Sequence, residues 1–468
     1  MEENGLSGLI NIGNTCYINS IIQCLSNCDI FRDYIFNNRF IEHIDNIKKN
    51  DEDYETSISD LLIFQYYKIL KYIWNGENIN IKPTTFKKKL GSKFNFFDNY
   101  DQNDSHEFLQ FLLNTFNDEI KENIPISSNI INKSDIKAIE SFSQDELLEY
   151  LQNDYDKNIK IIAYLYLKKY LNNNYSVINY YFNGIFLSEL VCPITDKISY
   201  SFEPFLGTIS IPKINLIKDK YLENLNKNNI DDNTCNGYIY DMNQYDDNDD
   251  NDDTDDNDDT DDNDDTDDDN NFFENNDKYN LIEDDEDDED DEDNEDDEDD
   301  EDNEDDEDDK DDKDGDDDIN IDIYDCLNEF FKEETLSNDN KWWSPFCNKY
   351  VNAYKKITIW TIPPILTFHF KIKEIIDKGI KVNINYPIET LDMTRYINKN
   401  NLNEKEYLYE LFAINNYISF GVDSGHYYSY CKNSNNNKWY KYNDNQVSEI
   451  KLDEIEDNTY ILFYKYKY

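Results

Sequence analysis

Residues 8–20 read Gly-Leu-Ile-Asn-Ile-Gly-Asn-Thr-Cys-Tyr-Ile-Asn-Ser, and the cysteine in this stretch precedes a helical pattern. Apolar residues then recur with the spacing i, i+3, i+4 and i+7, at Ile18, Ile21, Ile22 and Leu25. This spacing predicts an amphipathic helix that begins near Cys16, with Asn14 and Thr15 as suitable N-cap residues. A helix N-terminus presents unpaired N–H groups and a positive dipole end, which favour a thiolate over a thiol. The stretch therefore predicts a nucleophilic cysteine.

The acidity of the chain is concentrated in one tract. The formal net charge is −60 over 468 residues, and 50 of the 104 acidic residues lie between Asp246 and Asp318. Such a segment has too little apolar content to offset the entropy of ordering, so we expect residues 241–318 to form a long disordered acidic insertion. Outside the tract no basic stripe is present, which argues against nucleic-acid binding. Binding of basic proteins by the tract is an alternative role.

Neither a secretory signal nor a membrane span is predicted. The chain begins Met-Glu-Glu-Asn, with no basic region followed by an apolar run, and no segment approaches about 18 uninterrupted apolar residues. The eight cysteines are scattered along the chain and do not form the pattern of a disulfide framework. We therefore expect an intracellular protein, cytoplasmic or nuclear, with reduced thiols and no membrane association.

Helical patterns dominate the first part of the chain and strand patterns the last part. One helix is predicted to begin at Asp104, which has capping-box spacing to Glu107. A second helix is predicted over residues 144–171, within a polar insertion, and a third over residues 322–333. Strand patterns occur at residues 185–191, 197–202, 208–211, 355–360, 365–373, 409–415, 425–432, 438–442 and 458–464. A helical first half and a strand-rich second half predict an α+β fold.

A catalytic cysteine needs a base and a group that orients the base. Three of the four histidines lie in less suitable patterns. His43 lies on a helical surface, His106 beside the capping box, and His369 in a dense apolar strand. The fourth, His426, begins a predicted strand, and Asn443 and Asp444 follow the next one. These two residues offer an amide or a carboxylate to the Nδ1 atom of the histidine. The chain thus contains the residue types of a cysteine protease.

Four segments, in this order, resemble the motifs of the ubiquitin-specific proteases, a papain-like family of cysteine deubiquitinases. They are residues 8–17 as the Cys box, 100–113 as the Gln-Gln-Asp box, 357–370 as the strand before the His box, and 425–430 with 439–444 as the His box. The resemblance implies a papain-like fold with a helical thumb, a β-rich palm and β fingers, in a single catalytic domain.

The resemblance also implies how residues 1–468 are divided. We expect the thumb at residues 1–124, an insertion at 125–174, fingers and palm at 175–240 and 319–360, the acidic insertion at 241–318, and the rest of the palm at 361–468.

The resemblance implies a role for each site residue by its position. Cys16 is the expected nucleophile and His426 the expected general base. Asn443 occupies the third triad position, with Asp444 as the alternative orienting group. Asn11 matches the oxyanion-hole amide, which acts together with the backbone N–H of Cys16.

The implied reaction is thiol-dependent hydrolysis of the peptide or isopeptide bond after the C-terminal glycine of ubiquitin, so the implied partners are ubiquitin and ubiquitinated proteins. Asp104 matches a carboxylate that in relatives holds the ubiquitin tail, and it is equally suited to cap a helix. A non-catalytic ubiquitin-binding module with the same fold is the alternative function. The presence of all the candidate catalytic residues argues against it.

Relatives often bind a structural zinc ion through two Cys-x-x-Cys knuckles in the fingers. Here the first knuckle has Cys192 and Thr195, and the second has Ser344 and Cys347. Two thiolates with two hydroxyls do not make the tetrahedral ligand set that a structural zinc requires. We therefore expect no zinc and no other cofactor.

Overall fold

The computed structural model describes residues 4–37, 40–44, 58–77, 79–123, 133–211, 319–377, 379–401, 405–421 and 424–468. The predicted acidic insertion at residues 241–318 lies outside these residues. Within them, no helix is both long enough and apolar enough to cross a membrane.

Helices fill the first part of the chain, as predicted. Their bounds are α1 Cys16–Ser26, α2 Asp29–Phe36, α3 Leu62–Ile73, α4 Thr84–Lys93, α5 Ser105–Ile120, α6 Lys133–Glu140, α7 Gln144–Asn153, α8 Tyr155–Asn174, α9 Val177–Phe182, α10 Ile323–Phe330 and α11 Lys373–Asp377. The predicted helix starts at Cys16 and after Asp104 are confirmed. The prediction of one helix over residues 144–171 is wrong, because the chain breaks at Asp154, whose carboxylate accepts the N–H of Lys157 and caps α8.

Strands fill most of the second part. Their bounds are β1 Asn183–Val191, β2 Ile198–Leu206, β3 Thr208–Ile211, β4 Ile319–Asp322, β5 Glu334–Thr335, β6 Trp342–Ser344, β7 Lys349–Val351, β8 Tyr354–Thr361, β9 Ile365–Phe370, β10 Val382–Asn385, β11 Leu391–Asp392, β12 Leu408–Gly421, β13 Ser424–Lys432, β14 Trp439–Asn443, β15 Gln446–Ile450 and β16 Thr459–Tyr466. The predicted strand over residues 365–373 is too long, since β9 ends at Phe370 and α11 begins at Lys373.

The strands form one large sheet and three smaller ones. The large sheet has the order β15-β14-β13-β12-β16-β9-β3, with β11 paired to β12, and only its β3–β9 pair is parallel. A second sheet has the order β2-β1-β8-β5, and the pairs β4–β10 and β6–β7 stand apart. Among the described residues, helices α1–α9 all precede β1 and only the short helices α10 and α11 lie between strands, which is the predicted α+β organisation.

The central strands of the large sheet are buried on both faces. Along β13, Tyr427 and Cys431 belong to the core that contains α1, whereas Tyr428 and Tyr430 belong to the core on the opposite face. This alternation follows from the two-residue period of a strand. Every residue of α1 is buried, because the helix packs against β12, β13 and β14 and also against α5.

A buried amide joins α1, α5 and the large sheet. Asn415 on β12 accepts a hydrogen bond from the Ser105 hydroxyl and donates one to the Ser20 hydroxyl, each at 2.8 Å. All three side chains are at most 3% exposed. Because buried polar groups need partners, this relay favours one relative placement of the two helices on the sheet.

The start of α3 is capped from another helix. Leu61 occupies its N-cap position and has no side-chain oxygen to offer. Instead, the Glu119 carboxylate on α5 accepts the N–H groups of Leu62 at 3.0 Å and Ile63 at 2.9 Å, and it pairs with Lys93 at 2.8 Å. The Glu119 side chain is 2% exposed, so these donors replace the hydrogen bonds to water that the buried carboxylate has lost.

We expect Glu119→Ala to lower the free energy of unfolding by about 2–4 kcal/mol, because two buried N–H groups and the Lys93 ammonium lose their acceptor. The matched control is Asp118→Ala on the adjacent residue. Its side chain is 63% exposed in a pair with Lys121, and its removal should change the free energy by less than about 1 kcal/mol. Urea denaturation measures both values. Equal effects of the two substitutions would contradict this account of α3.

Candidate active site

The side chain of Asn11 shapes the loop before α1. Its Oδ1 atom accepts the backbone N–H groups of Gly13 and Thr15, both at 3.1 Å. Gly13 adopts φ +106°, and a Cβ there would lie 2.4 Å from the Tyr100 ring, so this position requires glycine. The loop delivers Cys16 as the first residue of α1.

The surroundings of Cys16 favour the thiol over the thiolate. Burial raises the pKa of the Cys16 thiol and so does the negative charge of Asp444, while the backbone N–H of Tyr427 acts in the opposite direction. Thr15 occupies the N-cap position, but its hydroxyl makes no cap and donates to Asn11 instead. The sequence predicts that the helix N-terminus favours a thiolate, whereas burial and Asp444 act against that charge. A neighbouring base that removes the thiol proton would therefore favour reaction of Cys16.

His426 lies on β13 one residue before Tyr427, whose backbone contacts the Cys16 thiol. Its Nε2 atom is 2.6 Å from Oδ1 of Asn443 at the end of β14. An amide oxygen only accepts hydrogen bonds, so Nε2 carries the proton and Nδ1 is the basic nitrogen. The structure thus brings Asn443 to His426 as predicted, but the predicted ring atom, Nδ1, is wrong.

Asp444 holds the Asn11 side chain and does not hold the histidine. Its Oδ2 atom accepts the Asn11 amide at 3.0 Å, and its Oδ1 atom accepts the Asn19 amide of α1 at 2.8 Å. Its backbone carbonyl accepts the N–H of Leu9 at 2.9 Å. The carboxylate therefore orients the amide of the predicted oxyanion-hole residue, a different partner from the one expected.

Asp104 caps α5, as the capping pattern predicted. One carboxylate oxygen accepts the N–H groups of His106 at 2.7 Å and Glu107 at 3.2 Å. The other accepts the hydroxyls of Tyr460 at 2.5 Å and Tyr427 at 3.4 Å. The carboxylate is thus held rigidly beside the strand that carries the candidate base. Its contact with a ubiquitin tail stays a prediction.

Two histidines stack close to Asp104 and are unsuited to act as the base. The rings of His106 and His369 are 3.8 Å apart at an angle of 12°. Burial lowers the pKa of His106 to about 4 and lowers that of His369 well below its ordinary value. Both rings are therefore neutral at physiological pH. The predicted burial of His369 in its strand is confirmed, at 6% exposure.

The sequence patterns did not single out Gln102, which clamps the start of β13. Its amide accepts the N–H of Gly425 and donates to the carbonyl of Gly425, both at 2.9 Å. On the other side of the strand, a Cβ at Gly425 would lie 2.3 Å from the Tyr417 ring. The neighbouring Asn103 donates to the Tyr17 hydroxyl on α1 at 3.3 Å. Gln102 lies within the segment that resembles the Gln-Gln-Asp box, and this was the signal for it in the sequence.

The four knuckle residues converge, but their chemistry does not fit zinc. The sulfur atoms of Cys192 and Cys347 are 3.9 Å apart, and the hydroxyls of Thr195 and Ser344 lie beside Cys192. A hydroxyl is a poor substitute for a thiolate or an imidazole in a structural zinc site. Across the part of the chain that the structure describes, no three His, Cys, Asp or Glu side chains group as metal ligands. The absence of zinc stays a prediction.

Comparisons with known proteins agree with this geometry. The family described as "Ubiquitin carboxyl-terminal hydrolase" matches residues 7–464. The chain belongs to this family. A probable ubiquitin carboxyl-terminal hydrolase of Acanthamoeba polyphaga mimivirus is 23% identical over 525 residues, covering 98% of this chain and 90% of that protein. Ubiquitin carboxyl-terminal hydrolase 9 of Arabidopsis thaliana is 36% identical over 149 residues, but this match spans only 31% of this chain and 16% of that protein.

A solved structure supports the fold. A chain of the SAGA Ubp8/Sgf11/Sus1/Sgf73 DUB module bound to ubiquitin aldehyde superposes with a TM-score of 0.51 at 17% sequence identity, covering 100% of this chain and 70% of that one. The prediction of the ubiquitin-specific protease fold is thereby confirmed. At this identity the likeness concerns the fold alone.

We expect Gln102→Ala to slow the alkylation of Cys16 by iodoacetamide about tenfold at neutral pH, because the strand that carries His426 loses its clamp and proton removal becomes less efficient. The rate is measured by mass spectrometry of the Cys16 peptide. Gln110→Ala is the matched control, since Gln110 lies on α5 and donates to Thr208. Alkylation of Gln102→Ala at the wild-type rate, with the same thermal stability, would contradict the clamp.

Proposed function

We propose that this chain is a thiol-dependent deubiquitinase that hydrolyses the bond after the C-terminal glycine of ubiquitin. One observation carries the proposal. Cys16 begins α1 against the backbone of Tyr427, and the adjacent His426 has its ring oriented by Asn443. A nucleophile, a base and a group that orients the base are the three parts that thiol catalysis requires.

The proposed reaction begins with proton transfer from the Cys16 thiol to Nδ1 of His426. The sulfur then attacks the glycine carbonyl, the resulting imidazolium protonates the leaving amine, and the C–N bond breaks to leave a thioester. Water, deprotonated by the same imidazole, attacks the thioester and releases ubiquitin. Asn443 supports each step because its oxygen accepts from Nε2 and stabilises the imidazolium.

The proposed oxyanion hole consists of the Asn11 amide and the backbone N–H of Cys16. One Asn11 N–H is already donated to Asp444, which leaves the second for the developing oxyanion. The N–H of Cys16 lies in the first turn of α1, where backbone donors have no partner within the helix. Both donors are positioned before the reaction starts, and such preorganisation is what stabilises the tetrahedral intermediate.

The proposed substrate is supported by charge and by a relative. The negative charge of Asp444 acts on Cys16, and Asp104 accepts from Tyr427, whose backbone contacts the Cys16 thiol. A carboxylate suits a peptide tail that is basic and presents backbone donors. The similar SAGA module was solved bound to ubiquitin aldehyde. Ubiquitin and ubiquitinated proteins are therefore the proposed partners.

We expect a ubiquitin probe with a C-terminal electrophile to form a covalent adduct with the wild-type chain and none with Cys16→Ala. Cys347→Ser is the matched control, because Cys347 is a partly exposed cysteine outside the proposed site. This variant should react like the wild type. Intact-mass spectrometry measures the adduct.

Failure of the folded wild-type chain to form an adduct would contradict the proposed activity. In that case, retained non-covalent binding of ubiquitin would identify a non-catalytic ubiquitin-binding module. An adduct on Cys347 would contradict the assignment of the nucleophile.

We expect Asn11→Ala and Asp444→Ala to act on the same step. Loss of one oxyanion donor lowers kcat about 10²–10³-fold. Asp444→Ala should lower kcat by a smaller factor through Asn11, and the double variant should be little slower than Asn11→Ala alone. Asn445→Ala, in the exposed adjacent position, is the control. Hydrolysis of a fluorogenic ubiquitin C-terminal amide measures kcat. If the loss of kcat in the double variant equals the product of the losses in the two single variants, Asp444 does not act through Asn11.

A further inference from the structure

A second pair of reactive groups lies outside the proposed active site, between two hairpin turns. Cys192 follows β1 in the turn to β2, and Cys347 lies in the turn between β6 and β7. Their sulfur atoms are 3.9 Å apart although the residues are 155 positions apart in the sequence. We propose that Cys192 and Cys347 form a reversible dithiol–disulfide modification site that a hydroperoxide oxidises.

Both cysteines are held on well-defined turns. The N–H of Cys192 donates to the carbonyl of Lys197 at 2.9 Å, and its carbonyl accepts the N–H of Asp196 at 2.9 Å. Asp196 and Asn348 both adopt positive φ, of 55° and 52°, which closes the two turns. A disulfide needs a sulfur separation of about 2.0 Å. The two sulfur atoms, which are 3.9 Å apart, must therefore move about 2 Å closer to each other. Turns at hairpin ends can adjust by that amount more easily than strand centres can.

The surroundings of the pair favour thiol chemistry. Val351 and Ala353 bury one side, and Cys192 is 0% exposed whereas Cys347 is partly exposed. Burial opposes ionisation of Cys192, but the hydroxyls of Ser344 and Thr195 and nearby backbone N–H groups lower its pKa below the ordinary value. A buried sulfur with this donor set is suited to attack a neighbouring sulfur, and the exposed sulfur is suited to meet an oxidant from solution.

The proposed oxidation has two balanced steps. The Cys347 thiolate attacks a peroxide oxygen, the O–O bond breaks, and the departing alkoxide or hydroxide takes a proton, leaving a sulfenic acid on Cys347. The Cys192 thiolate then attacks this sulfur, the S–O bond breaks, and the departing hydroxide is protonated to water. In total, two thiols lose two electrons and two protons, and the peroxide is reduced. A dithiol reductant reverses the change by thiol–disulfide exchange.

A second close cysteine pair provides an internal control. Cys24 and Cys431 lie side by side between α1 and β13, and both are 0% exposed. Proximity alone would predict oxidation of both pairs. Access to solvent distinguishes them, because only the first pair includes a partly exposed sulfur.

The test uses the full chain carrying Cys16→Ala, so that the proposed nucleophile does not react. The protein is reduced with a chelator present, desalted, treated with a small excess of hydrogen peroxide and quenched with iodoacetamide. We expect peptide mass spectrometry to find a Cys192–Cys347 cross-link, alkylated Cys24 and Cys431 after denaturation, and reversal by dithiothreitol. Because the cross-link closes a long loop, oxidation should also raise Tm by a few degrees.

Single substitutions separate the two roles. In Cys192→Ser the cross-link and the Tm rise should disappear, and the sulfenic acid on Cys347 should be trapped by dimedone. In Cys347→Ser the thiol of Cys192 should stay reduced. Three results would overturn the proposal. They are a cross-link between Cys24 and Cys431, an intermolecular disulfide, and a Cys192–Cys347 pair that stays reduced because it retains a metal through the chelator treatment.

Discussion

The hydrogen bond between Asn11 and Asp444 joins residues 433 positions apart, and the arrangement of the site depends on it. The same carboxylate accepts from Asn19 on α1, and the Asp444 carbonyl accepts from Leu9. One turn of the large sheet therefore holds both the loop before α1 and the helix itself. Because charge-assisted hydrogen bonds are stronger than neutral ones, this turn is an effective anchor between the two ends of the chain.

A second connection comes from the segment at residues 102–104. Gln102 holds the backbone of Gly425, Asn103 contacts Tyr17 on α1, and the Asp104 carboxylate accepts from tyrosines of the sheet. Three consecutive residues thus contact both the helix that begins at Cys16 and the strand that carries His426. These contacts restrict the relative position of the candidate nucleophile and the candidate base, and such positioning lowers the barrier of a reaction between two groups.

The electrostatics around Cys16 oppose formation of a thiolate. The dipole of α1 favours a thiolate, but burial and the Asp444 carboxylate raise the pKa of Cys16. The carboxylate that orients Asn11 therefore disfavours the charged nucleophile. In the proposed mechanism, the His426 imidazole, which is oriented by the Asn443 amide, removes the thiol proton at the moment of attack.

The helix starts and the strand alternation were predictable from the sequence because they depend on local spacing, whereas the expected fold family and the expected roles of the site residues came from the resemblance to known motifs. The starts of α1 and α5 follow from helical periodicity and cap residues, and the two faces of β13 follow from strand alternation. The break at Asp154 was not predictable, because the apolar pattern continues across it and a single carboxylate decides where the second helix begins. The clamp by Gln102 was also missed, since a backbone partner 323 residues away leaves no mark on local sequence.

The sequence by itself determined which chemical groups the protein has: a cysteine at a helix start, a histidine on a strand, an amide and a carboxylate after the next strand, and two cysteines in degenerate knuckles. Only the tertiary structure decided their pairing. It assigned Asn443 to Nε2 of His426, Asp444 to Asn11, and Cys192 to Cys347. The physical reason is that hydrogen bonds and sulfur contacts depend on separations of a few ångströms, which long-range strand pairing and helix packing create and which no local pattern encodes.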